Sequence, residues 1–209
     1  MLPPRCEALF KRNVRRNVME METLILASAS PRRKELLCQI GVPFEICVTD
    51  VNEETSLPAE QAVAELSRRK AEAAGQIFPG RFILAADTLV AIDGENLGKP
   101  RNEEEAAEML RRLSGRTHQV CTGVTVINPS GERYTDTDVS HVTFAEMSEE
   151  EIRDYAASGE PLDKAGAYAI QGGAARWIAR MDGSPSGVIG LPLYTAWRLL
   201  KQAGYASKE

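Results

Sequence analysis

The sequence predicts a mixed α/β fold built around one central sheet, and three stretches carry that reading. Leu24 to Ala27 is a short apolar run that turns through Ser28-Ala29-Ser30 straight into a helix start at Pro31. Phe82 to Ile92, FILAADTLVAI, is the most apolar run in the chain and reads as a central strand covered on both faces. Val120 to Ile127 and Tyr134 to Phe144 alternate like strands around the turn Pro129-Ser130-Gly131, an antiparallel pair.

At 209 residues the chain can bury a substantial core, and 43% hydrophobic with 26% charged residues is ordinary for a soluble globular protein. A net charge of −5 argues against a nucleic-acid partner, and no apolar run is long enough to span a membrane. The cysteines Cys6, Cys38, Cys47 and Cys121 stand far apart, which indicates neither a zinc site nor a disulfide framework and suggests a cytoplasmic home. Residues 1–22 are basic, lack the apolar core of a secretory signal and precede the first strand. They read as a loose tail, with Met19 or Met21 as an alternative start, ahead of one domain over 23–209.

Taken in order, Ser30 is placed to cap the first helix and Pro31 to open it, since proline loses no N–H bond there. Arg32, Arg33 and Lys34 then fall in the first turn, where the helix dipole disfavours cations by a few tenths to about 1 kcal/mol each. An anion on the free amides reverses that sign. Turn, helix start and arginines thus form a phosphate site without a glycine-rich loop; the competing reading is surface arginines at an ordinary helix start.

Gly41-Val42-Pro43 ends this helix, and Phe44 to Val48 alternates as a second strand. Asp50, Asn52, Glu53 and Glu54 form an acidic loop. Pro58 opens a helix to about Ala74, with Ala62, Val63 and Leu66 inward and Arg68, Arg69 and Lys70 near its end, where cations suit the dipole. Asp87 lies in the middle of the central strand, and a carboxylate there must be paired, ligating or set at a cleft. Asp93-Gly94 turns the chain, and Leu97-Gly98-Lys99-Pro100 projects one lysine.

Asn102 to Gly115 has the cap, acidic first turn and basic last turn of a well-formed helix. Ser148 to Glu151 is a capping box for a short helix ending at Gly159. Asp163 to Gly173 looks too small and flexible for core and reads as a ligand-closing loop. Trp177 to Met181 is the last strand, Leu193 to Ala203 the last helix, and His118 and His141 read as structural or surface groups.

From Leu24 to about Gly204 the chain resembles the Maf family of nucleoside triphosphate pyrophosphatases. Ser28-Ala29-Ser30-Pro31-Arg32-Arg33, Ala86-Asp87-Thr88 and Asp163-Lys164-Ala165-Gly166-Ala167-Tyr168 occur in the family's order and spacing. The resemblance implies a single elongated domain, like that of inosine triphosphate pyrophosphatases, with a deep nucleotide-binding cleft. It implies Asp87 as the base that activates water, Glu53 with Asp87 at a divalent metal, and Ser28, Arg32, Arg33, Lys70 and Lys99 around the triphosphate. Arg32, Thr88 and Gln171 match members that prefer thymine and uracil nucleotides, so dTTP and UTP are the expected substrates, with modified pyrimidine nucleotides beside them. Ser184 to Gly187 departs from members that carry an aromatic there. A homodimer is compatible with the family.

The residue chemistry agrees. Splitting a triphosphate between its α and β phosphorus atoms needs cations, a metal and one base rather than covalent help. Oxygen ligands suit Mg²⁺ or Mn²⁺. The chain lacks a Walker A loop, which argues against a motor-type or kinase-like NTPase. Three rivals stand beside this reading: a pyrophosphatase for purine or damaged nucleotides, a nucleotide-sensing regulator of septum formation, and an RNA-binding domain. A sensor has no need of a carboxylate at Asp87, and the acidic balance disfavours RNA.

Overall fold

The computed structural model describes residues 22–205; the expected tail up to Met21 lies outside them. Seven strands form one mixed sheet in the order β2-β1-β3-β5-β6-β7, with β4 paired to β3 off that path. The buried Leu24–Leu26 is β1, running parallel to both β2 (Phe44–Ile46) and β3 (Ile83–Ile92). The first helix, α1, is Pro31–Gln39 with proline at its start, as the sequence predicts. Ser30 holds the cap position but its hydroxyl caps nothing, a correction: the Ser30 amide instead donates to Ser28 Oγ at 3.2 Å.

Helix α2 covers Ala59–Ile77, three residues past its expected end, and Arg68 to Lys70 therefore lie in its middle. The dipole reading of Arg68 and Arg69 fails for that reason. Both pair with Glu65, and Arg69 also donates to the carbonyls of Asn52 at 3.0 Å and Glu54 at 3.4 Å. These bonds hold the acidic loop on both sides of Glu53.

Strand β3 is split along one edge. Its start bonds β1 at Ile83 and Leu84, and its end bonds β4 (Glu95–Leu97) from Val90 to Ile92, where Asp93 and Gly94 take positive φ in the turn. Between these two partners Ala85 to Leu89 find no strand on that side, whereas the other edge is paired to β5 (Thr117–Ile127) from Ile83 to Ala91. Side chains alternate across a strand. Asp87 therefore shares the face of Ile83 and Ala85, which pack under α2, while Thr88 shares the face of Leu84 and Ala86.

Gly123 lies beside Asp87 in the β3–β5 register, and a Cβ built there would stand 2.3 Å from the Val63 carbonyl oxygen of α2. The missing side chain lets α2 settle on the sheet. Seven residues on from Val63, two helical turns, Lys70 arrives over Asp87.

Helix α3 (Glu103–Leu113) is capped by Asn102, and β5 continues antiparallel into β6 (Arg133–Phe144). The capping box of Ser148 and Glu151 starts α4 (Glu149–Ala157), and β7 (Ile178–Asp182) follows. A short α5 (Pro185–Ile189), not expected from the sequence reading, precedes α6 (Leu193–Gln202); the Ser184 hydroxyl caps α5 and Pro185 opens it. The Asp163–Gly173 stretch corrects the flexible-loop reading. It contains the 3₁₀ turn Ala165–Ala167, and Ala167 and Tyr168 are buried members of the core. Cys47 and Cys121 are free and buried.

His118 packs edge-on to Phe144 and Tyr168, with Nε2 2.8 Å from the Tyr168 hydroxyl and Nδ1 buried without a partner among the described residues. Burial lowers its pKa to about 4.

Two expectations follow from this packing. Gly123→Ala should cost about 2–3 kcal/mol or more, because backbone rather than a flexible side chain must give way, read from denaturant midpoints. The second concerns acid: between pH 6.5 and about 4 the unfolded chain takes up a proton at His118 that the folded chain refuses, so stability falls as pH drops through that window. From pH 7 to 5 the wild type should lose about 2 kcal/mol more than His118→Gln. Parallel losses in the two proteins would contradict a neutral buried His118.

Candidate active site

A cleft of about 830 Å³ opens at the split in β3. It runs through the sheet, and so collects residues from both faces: Leu66, Lys70 and Asp87 from the α2 side, Thr88, Ile189 and Gly190 from the other. Ser28, Arg32 and Arg33 border it from the β1–α1 turn, Glu53 from the acidic loop, Lys99 from beyond β4, and Gln171 from the loop after the 3₁₀ turn. All nine residues singled out in the sequence thus meet around one cavity.

On the α2 face, the Lys70 ammonium bridges two carboxylates, Asp87 Oδ1 and Glu53 Oε1, the latter at 2.6 Å. Lys70 and Asp87 are nearly buried, their side chains 12% and 10% exposed. Burial alone lifts the Glu53 carboxyl; Lys70, with Lys99 and Arg33 behind it, outweighs this and holds it below its ordinary value.

On the opposite face Arg33 is held at three points. Its Nε donates to the Gly190 carbonyl at 2.7 Å, Nη1 to Ser28 Oγ at 3.3 Å and Nη2 to Thr88 Oγ1 at 3.2 Å. Its pKa is lowered, first by burial and also by Arg32, with Asp87 and Glu53 opposing. Arg32 crosses the mouth instead, donating to Asp163 Oδ2 at 3.1 Å. Burial raises the Asp163 carboxyl, but Lys164 and Arg32 bring it below its usual value.

Two supports of the site rest on contacts that have no local signal in the sequence. Glu160 accepts the Gly173 amide at 3.1 Å and the Tyr155 hydroxyl at 2.7 Å, fixing the loop that carries Gln171. A Cβ at Gly172 would lie 2.0 Å from Glu160 Oε1, so the glycine permits that closure. Asp163 was visible in a motif, but its partnership with Arg32, 131 residues away, was not.

Among the described residues no group of three or more His, Cys, Asp or Glu side chains could hold a metal. Glu53 and Asp87 do share a cation, Lys70, at oxygens facing the cleft. This oxygen pair fits a hard divalent ion that takes its remaining ligands from phosphate and water.

Residues 23–203 match the family model described as Maf-like protein. The chain belongs to the Maf family. A protein of Symbiobacterium thermophilum named dTTP/UTP pyrophosphatase is 49% identical over 188 residues, 88% of this Maf chain and 96% of the relative. A Myxococcus xanthus protein of the same name is 50% identical over 185 residues, 87% and 92% of the two chains. The solved structure of the Staphylococcus aureus Ham1 protein shares 17% identity at a TM-score of 0.44, over 60% of this chain and 73% of that one, too distant to build on.

Lys70→Met should remove the cation between the carboxylates while keeping most of the side-chain bulk. The Glu53 carboxyl should then titrate at higher pH, followed by carbon-13 NMR, and the uncompensated Asp87 should cost about 3 kcal/mol of stability. An unmoved Glu53 titration would show that Lys99 and Arg33 alone set its value.

Proposed function

We propose that this Maf protein is a nucleoside triphosphate pyrophosphatase that hydrolyses dTTP and UTP, and modified pyrimidine nucleotides of the same kind, to monophosphate and pyrophosphate. One observation carries the reading: a nearly buried carboxylate, Asp87, faces a cleft whose cations include Arg32, Arg33, Lys70 and Lys99. That is the charge pattern a polyphosphate and a water-activating base require. The names of the relatives supply the substrates.

In this mechanism the lysines and arginines neutralise the triphosphate and hold it in line, and Asp87 takes the proton from water. The water oxygen bonds to phosphorus as the α–β bridging bond breaks, and pyrophosphate leaves. Glu53 and Asp87 would hold Mg²⁺ or Mn²⁺, which when bound supplies further positive charge to the phosphates. Ser28 and Thr88 keep Arg33 aimed, and Arg32, Thr88 and Gln171 would read the base.

A homodimer and a cytoplasmic location, where the nucleotide pool lies, complete the proposal. Among the described residues no helix is long and apolar enough to cross a membrane. The non-catalytic sensor is disfavoured, since it leaves Asp87 without a task.

The test is pyrophosphate release from a nucleotide panel, with dTTP and UTP expected ahead of ATP and GTP. Asp87→Asn should lower turnover at least about 10²-fold while nucleotide binding persists at saturating Mg²⁺. Lys99→Ala should weaken binding and rate together. Wild-type protein that binds dTTP tightly without hydrolysing it would transfer the case to a sensor.

A further inference from the structure

Glu53 lies on a stretch with little of its own to hold it. Residues 47–58, which join β2 to α2, form neither helix nor strand, and from Val48 to Pro58 no residue is buried. The Glu53 side chain itself is 58% exposed. Polar bonds must therefore do what a buried side chain would do elsewhere.

Within the stretch, the Glu54 amide donates to Asn52 Oδ1 at 2.8 Å, a turn around Glu53 that ties the loop only to itself. Among the described residues, the backbone of 50–56 makes no hydrogen bond outside the loop except to Arg69. Arg69 Nη1 donates to the Asn52 carbonyl at 3.0 Å and to the Glu54 carbonyl at 3.4 Å, one residue before the carboxylate and one after. Its Nε is fixed in turn by Glu65 Oε1 at 3.0 Å, one turn back along α2. The next residue of the helix, Lys70, takes the Glu53 carboxylate at 2.6 Å. An ammonium is a point charge with rotatable donors and imposes little direction on its partner. The direction comes from the backbone that Arg69 holds.

We infer that Arg69 is a positioning residue for Glu53, clamping the chain on both sides of it so that the carboxylate is presented to a divalent cation in the cleft. The inference rests on the proposed metal role of Glu53 and Asp87. A carboxylate on an unclamped loop would have to be ordered as the ion binds, and that lost entropy would be subtracted from the affinity. Groups that orient a metal ligand matter by about 10- to 100-fold in metal affinity.

The sign of the effect separates this role from electrostatics. Arg69 is a cation, and removing a positive charge near the site should by Coulomb's law alone strengthen the hold on Mg²⁺ or Mn²⁺. Losing a clamp should weaken it. Arg68 supplies the comparison: the same charge one residue away, paired with Glu65 but, among the described residues, without a bond to the loop.

The test is Mn²⁺ binding to the full chain, read from the electron paramagnetic resonance of the free ion. Arg69 is 36% exposed and methionine is a good helix former, so Arg69→Met should fold. It should bind Mn²⁺ about tenfold more weakly or worse, while Arg68→Met should match the wild type or bind slightly tighter. The Mg²⁺ concentration for half-maximal dTTP hydrolysis should rise in Arg69→Met by a similar factor, with the rate recovering at saturating Mg²⁺. In a Glu53→Gln background, Arg69→Met should add nothing to the loss of Mn²⁺ binding, since the residue it acts through is gone. Wild-type Mn²⁺ affinity in Arg69→Met, or a further loss on top of Glu53→Gln, would overturn the inference and leave the pyrophosphatase reading intact. Wild-type protein that binds no Mn²⁺ would remove the metal reading along with it.

Discussion

The site depends on a constraint in the sheet: β3 has two short neighbours on one edge and a gap between them. Strands β1 and β4 each bond only a few residues, and neither reaches Ala85 to Leu89. A continuous neighbour would have closed the sheet there and buried Asp87 and Thr88 in two separate cores. The split instead makes a passage through the sheet. Successive residues pointing to opposite faces can then line one cleft, the acid on the α2 side and the threonine on the other.

Charge is arranged around that passage by face. On the α2 side one ammonium, Lys70, is shared between two carboxylates, and the pairing offsets the desolvation that a nearly buried aspartate suffers. Across the sheet Arg33 is surrounded by neutral acceptors, the Gly190 carbonyl and two hydroxyls. It is oriented without being neutralised. An arginine held this way keeps its charge for an anion, and the misplaced cations of the first turn of α1 acquire a physical reason.

Glycines set the distances. Gly123 lets α2 approach β5 closely enough for Lys70 to meet Asp87, and Gly172 leaves room for the Glu160 carboxylate that fixes the Gln171 loop. Neither position touches the cavity. Each acts because backbone or carboxylate oxygens occupy the space where a side chain would begin.

By itself the sequence determined the elements whose cause is local. The apolar run of β3, the proline start of α1, the Asn102 cap and the Ser148 capping box are decided by hydrophobic period or by bonds within a few residues. The cation-rich first turn of α1 and the acid within an apolar strand were legible for the same reason, as local violations that call for an explanation. Tertiary structure alone decided the rest. The extent of α2 moved Arg68 and Arg69 out of a helix end. Contacts far along the chain brought Asp163 to Arg32 and Tyr168 into the core against His118. The hold on Glu53 depends on Arg69, which reaches 17 residues back to the Asn52 carbonyl and also takes that of Glu54. A contact of that kind follows from which atoms end up adjacent in space, and local sequence does not encode it.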